Sequence, residues 1–164
     1  MEQIKYWYRK YLPEQIRSRI RKLIPFWIEL NYFVLASKNF NLSEVGHGEA
    51  FKLKEICKEL DIKNGYYVDI GASDGFTSST TYIFAKDKNF SGLSIELDNK
   101  KFLKMKKIYK KFNNANLLKE KITPDNVVDS LLRSKVPIGF DILNLDIDSY
   151  DLFVIDNLLS VFKI

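Results

Sequence analysis

Val68-Asp69-Ile70-Gly71-Ala72-Ser73-Asp74-Gly75 closes a short apolar run, Tyr66–Ile70, with a turn that carries two glycines. Gly71 and Gly75 let the backbone turn tightly and approach a ligand with no Cβ in the way. Ser73 stands where the dinucleotide-binding G-x-G-x-x-G has its second glycine, and there is no Gly-Lys-Ser/Thr of a phosphate-cradling P-loop. The turn therefore suits a ligand that needs close backbone approach without a pyrophosphate cradle. The spacing also argues against a nicotinamide-dependent oxidoreductase. For the two glycines taken alone, the competing reading is a plain strand-to-helix turn.

Outward from this turn, strand and helix patterns alternate. A helix over about 49–60 precedes it, and a helical stretch to about Lys86 follows. The spacing then predicts strands over 92–97, 116–122 and 140–147, with helices over 99–112 and 151–162. Between the last two strands, Thr123 is the expected N-cap and Pro124 the first helical residue. Val127, Val128, Leu131 and Leu132 are that helix's expected buried stripe. Four strand–helix alternations imply an α/β fold, a parallel Rossmann-like sheet with helices on both faces.

The 164 residues are 46% hydrophobic and 29% charged, a globular composition that excludes a disordered tail or a collagen-like repeat. Cys57 is the single cysteine, so no intrachain disulfide can form, and a reducing, cytoplasmic setting is expected. It reads as a small packed residue rather than a nucleophile. With His47 as the single histidine, a Cys/His zinc site cannot be assembled from this chain, and no metal is expected. His47 itself reads as an exposed loop residue.

The net charge of +5 is uneven: residues 1–45 hold eight Lys/Arg against four Asp/Glu, whereas the remainder holds 18 against 17. Residues 1–45 therefore form an expected N-terminal basic, aromatic helical segment, and 46–164 a separate α/β domain. The most apolar stretch, 23–36, is too short and too polar to span a bilayer, since it contains Glu29 and Asn31. Residues 1–37 read either as helices packed on the domain or as a peripheral contact with a membrane surface or partner chain. The seven lysines of 98–111 interleave with Phe102, Met105, Ile108 and Tyr109. That pattern marks the solvated face of a packed helix, and no nucleic-acid partner is expected.

In an open α/β sheet, ligands bind beyond the carboxyl ends of the strands. Glu96 ends the second strand, 25 positions after Gly71, the distance at which an acid accepts both hydroxyls of a ribose. Asp146 and Asp148 end the fourth, on one side of an extended chain, where they can take a proton from a substrate hydroxyl, hold a cation or orient a cofactor. Capping of the next helix is the alternative for Asp148. Glu120 lies near the end of strand three, where an adenine could sit.

Gly65–Gly75, 91–96, 122–126 and Phe140-Asp141-Ile142-Leu143-Asn144-Leu145-Asp146-Ile147-Asp148-Ser149-Tyr150-Asp151 together resemble the FkbM-type S-adenosylmethionine-dependent methyltransferases, in unbroken order over roughly residues 43 to 156. The resemblance implies that Asp69, Gly71, Ala72, Ser73 and Gly75 wrap the methionine part of S-adenosyl-L-methionine and that Glu96 holds the ribose. It implies O-methylation of a small-molecule hydroxyl acceptor such as a sugar; such an acceptor needs its proton removed, and Asp146 or Asp148 is the nearest candidate base. The family's Ser-Gln-x-Gly-Glu would fall on Ser43, Glu44, Gly46 or Gly48, and Glu49. Thr80 stands where relatives carry Asn, and Ser149 where they carry Gly.

The resembled family has a seven-stranded sheet, whereas this sequence ends within the helix after strand four. The C-terminal strands are thus expected to be missing, leaving 140–147 as an apolar edge. The chain is then a methyltransferase or its cofactor-binding half. The alternative is a non-catalytic module held to a membrane or partner by residues 1–37.

Overall fold

Tyr66–Ile70 forms the first strand, β1, and from its second residue onward it is buried throughout. Its residues alternate between two cores. Tyr67 belongs to one apolar cluster, with Phe84, Met105 and Tyr109, whereas Val68 and Ile70 belong to another, with Val127, Leu131 and Val154. A strand covered on both faces reads as a near-continuous apolar run, as this one does.

The computed structural model describes residues 49–77 and 79–164. The expected segment over 1–45, its contact surface over 1–37, and His47 lie outside the described residues. So do Ser43, Glu44, Gly46 and Gly48. In chain order the elements are α1 (Glu49–Glu59), β1, α2 (Tyr82–Lys86), β2 (Ser91–Ile95), α3 (Asn99–Tyr109), β3 (Ala115–Leu118), α4 (Val127–Arg133), β4 (Ile142–Leu145) and α5 (Asp151–Leu159). The strands lie in the order β3-β2-β1-β4, and every pair is parallel. This is the expected doubly wound, Rossmann-like sheet. Residues of α1, α2 and α3 cover one face, and residues of α4 and α5 cover the other. The chain's last residues run beside the start of β4, with Lys163 bridged in parallel to Gly139.

Element types hold, but several boundaries move. The helical stretch toward Lys86 shrinks to α2, because Asp74 Oδ1 takes the N–H groups of Phe76 (3.1 Å) and Thr77 (2.8 Å) into a local turn. Such side-chain bonds compete with helix formation. Strand three stops at Leu118 rather than at Ile122. The expected cap at Thr123 is also wrong. Asn126 Oδ1 accepts from Thr123 N–H at 2.7 Å, and its Nδ2 donates to the Lys121 carbonyl at 2.8 Å. The chain therefore turns once, and α4 begins at Val127. Its buried stripe is Val127 and Leu131, with Val128 half-buried and Leu132 exposed.

The lysines of α3 face water, while Met105 and Tyr109 are buried. Asp98 caps this helix by accepting from Lys101 N–H at 2.8 Å. That bond and the neighbouring lysines hold its carboxyl below the ordinary range. Among the described residues, no helix is long and apolar enough to cross a membrane.

Candidate functional site

Parallel pairing sets the site's geometry. Ile70, the last residue of β1, is level with Ile95 of β2 and with Leu145 of β4. One step further along, Gly71, Glu96 and Asp146 therefore stand side by side at the carboxyl end of the sheet. The N–H groups of Gly71 and Ala72 both donate to the Ile95 carbonyl, each at 3.0 Å, and Asp146 N–H donates to the Ile70 carbonyl at 3.0 Å.

Gly71 has φ +90°, and a Cβ there would lie 2.0 Å from the Asp146 carbonyl oxygen. Glycine is needed because the β4 backbone occupies the space a side chain would fill. Gly75 (φ +71°) closes the turn with its N–H on the Ala72 carbonyl at 2.9 Å, and a Cβ there would press on Met105 and Tyr109 at 2.7 Å. Between them Ser73 takes φ +54°, a left-handed conformation costly for most side chains.

Glu96 is what holds that conformation. It is 8% exposed; Oε2 accepts from Ser73 N–H at 2.7 Å and Oε1 from Asp98 N–H at 2.6 Å. One carboxylate thus ties the glycine turn to the cap of α3. Each oxygen keeps a second lone pair for a further donor.

Asp69 lies one layer deeper and is fully buried. Its carboxylate accepts from Thr81 Oγ1 at 2.5 Å and from Asn144 Nδ2 at 2.8 Å. Burial pushes its pKa up to about 6, the two hydrogen bonds pull it back, and the charges of Glu96 and Asp146 raise it further. Thr81 and Asn144 were not anticipated from sequence. The signal for Asn144 was available, since it is the lone amide in the apolar strand Ile142-Leu143-Asn144-Leu145.

Asp146 and Asp148 are exposed, and among the described residues neither side chain has a hydrogen-bond partner. They do not lie on one side of an extended chain as expected. β4 ends at Leu145, and Asp148 has φ +56°, so strand alternation does not reach them. Asp151 shapes this loop, with Oδ1 accepting from Ile147 N–H at 3.0 Å and Oδ2 from Ser149 N–H at 3.2 Å. Glu120 is paired with Arg133 of α4 at 2.9 Å. Of the residues aligned with the family's Ser-Gln-x-Gly-Glu, Glu49 alone is described, and it accepts from Thr80 Oγ1 at 3.2 Å. Among the described residues no three His, Cys, Asp or Glu side chains are arranged to hold a metal ion.

No protein-family model and no curated protein matches the sequence. Among solved structures, the chain is similar to the plantazolicin methyltransferase BamL in complex with a triazolic desmethylPZN analog and SAH. Identity is 14% and the TM-score 0.49, over 98% of this chain and 52% of that one. It is also similar to a TehB-like SAM-dependent methyltransferase from Corynebacterium glutamicum, at 14% identity and TM-score 0.49, over 83% of this chain and 65% of that one. With PKMT2 from Rickettsia typhi, in complex with AdoHcy, identity is 19% and the TM-score 0.44, over 62% of this chain and 19% of that one. The first two are methyltransferases. The chain spans about half to two thirds of their length.

Proposed function

We propose that residues 46–164 form the cofactor-binding domain of an S-adenosylmethionine-dependent O-methyltransferase of the FkbM type, with 1–45 a separate segment. The observation that carries this reading is the register placing Gly71, Glu96 and Asp146 at one level beyond three strand ends, with Glu96 aimed by Ser73 N–H. The chemistry of these groups fits the cofactor. Carboxylate lone pairs at Glu96 suit ribose hydroxyls, and the acidic grouping of Asp69, Glu96 and Asp146 suits a cationic sulfonium.

Bound there, S-adenosylmethionine supplies an electrophilic methyl group on sulfur. Asp69, Gly71, Ala72, Ser73 and Gly75 would hold its methionine part, Glu96 its ribose, and Glu120 would face the adenine after leaving Arg133. The transfer is an in-line displacement that depends chiefly on orientation. Asp146 or Asp148, both open to solvent, takes the proton from the acceptor hydroxyl. A small molecule such as a sugar is the acceptor we favour, in a cytoplasmic setting, with residues 1–37 as the contact to a membrane surface or partner.

Calorimetric titration of the full chain with S-adenosylmethionine and S-adenosylhomocysteine tests this. Binding that weakens in Glu96→Gln supports it. Absence of binding by a chain with a cooperative urea transition overturns it.

A further inference from the structure

Residues 99–119, which span α3 and β3, hold eight lysines and no Asp or Glu. Of the 18 Lys/Arg and 17 Asp/Glu in 46–164, this leaves ten against 17 for everything else, so the positive charge of the domain is gathered into one segment. The strand order puts that segment at an edge of the sheet, because β3 is an outer strand and α3 leads into it. The other edge, β4 with α5, is the reverse: residues 136–162 carry five Asp and no Lys or Arg. We propose that the lysine face of α3 is a docking surface for an anionic lipid bilayer, with the acidic β4 edge turned away from it.

Helix periodicity gathers these charges on one side. Met105 and Tyr109 are buried, and Lys100, Lys104 and Lys107 follow one another at four- and three-residue spacing along the side away from them. Lys110 and Lys111 extend the row past the last turn, and Lys119 joins it by donating from Nζ to Asn99 Oδ1 at 2.7 Å. Among the described residues, Lys100, Lys101, Lys106, Lys107, Lys110 and Lys111 form no ion pair. The neighbouring carboxylate, Asp98, is committed to capping the helix. A cluster of this kind attracts anionic headgroups, gaining roughly fivefold in affinity for each cation near the surface. Three features select a bilayer over a nucleic acid. Every cation is a lysine, a point charge without the planar fork by which arginine grips phosphates and bases in pairs. No exposed aromatic ring offers bases a stacking platform here, as Phe102 and Phe112 are half-buried and Tyr109 is buried. Leu97, just before the helix, and Leu103, within it, are instead 57% and 49% exposed, where a headgroup layer can take them in. The opposed charges of the two edges also orient the domain as it approaches such a surface. The inference lies outside residues 1–37 and does not rest on the cofactor reading.

The test is co-sedimentation of the full chain with vesicles of equal parts phosphatidylcholine and phosphatidylserine, beside vesicles of phosphatidylcholine alone. Binding to the anionic vesicles is expected, with little to the neutral ones, and it should fall steeply as salt screens the charges. Lys100→Gln/Lys107→Gln/Lys110→Gln replaces three exposed side chains without touching the core. It should weaken vesicle binding on the order of a hundredfold, at roughly fivefold per lysine. Lys121→Gln/Lys135→Gln/Lys163→Gln removes the same charge outside α3 and should leave binding within a few-fold of the parent. Residues 1–37 are present in every variant, so any affinity they contribute is common to all. Equal binding to neutral and anionic vesicles, equal loss in the two triple variants, or binding to a single-stranded DNA oligonucleotide in preference to the anionic vesicles would each overturn the proposal.

Discussion

Glu96 Oε2 and the amide of Ser73 are 2.7 Å apart, so the glycine turn is held in its left-handed form by an acid that follows a different strand. The same carboxylate takes the Asp98 amide. Glu96 is therefore a structural tie as well as the proposed ribose acceptor. Glu96→Gln can keep only one of the two bonds through its carbonyl oxygen, and should lower stability by about 2 kcal/mol. Paired with calorimetry, urea denaturation separates that loss from a fall in S-adenosylmethionine affinity, expected to be tenfold or more.

Asp69 gives a pH signature. Its folded pKa of about 6 lies above the ordinary aspartate value of about 3.9 expected in the unfolded chain. Between these values the folded chain holds a proton that the unfolded chain has released, so stability is full below pH 4 and falls as pH rises through 6. The loss amounts to about 3 kcal/mol for this group. Asp69→Asn keeps partners for Thr81 and Asn144 and removes the titration. Urea midpoints from pH 4 to 7 should shift progressively in favour of the variant; a constant difference would contradict the assignment.

Gly71 and Gly139 form a contrasting pair. Gly71→Ala places a methyl 2.0 Å from the Asp146 carbonyl oxygen at positive φ, and should cost about 3 kcal/mol or more. A Cβ at Gly139 meets nothing within 4 Å, and Gly139→Ala should be neutral or stabilising by up to about 1 kcal/mol. Thermal or urea melts of the two variants check both expectations.

For Asp146 and Asp148, conversion to Asn separates the two roles. The residue that takes the acceptor's proton should lose about 10²–10⁴ in methyl-transfer rate with cofactor affinity unchanged. The other should lose little. Rates with a hydroxyl acceptor, read beside calorimetric Kd values, decide between them.

Strand identity was legible because burial on both faces leaves an apolar run such as Tyr66–Ile70, and the place of Glu96 just beyond β2 was legible from the end of that strand's apolar run. What sequence could not show is contact across the sheet. Thr81 and Asn144 meet at Asp69 only after β4 has paired with β1, and Gly71 must be glycine because of a carbonyl 75 residues later at Asp146. Local competition was equally hidden. Thr123-Pro124 has every mark of a helix start, yet the Asn126 side chain turns back on Thr123 and delays the helix to Val127.

The pairing order also has a kinetic consequence. β1 meets β2 across 25 residues (Tyr66 with Ser91), but Asn144 reaches Asp69 across 75. Closing the longer loop costs about 1 kcal/mol more chain entropy. The three strands β1, β2 and β3 can thus assemble from near neighbours, while the carboxylates beyond β4 arrive last. A chain stalled before that step would already have its glycine turn and Glu96 but no Asp146 beside them. Competence at the strand ends should therefore appear in the slowest refolding phase, after most of the helical signal has returned.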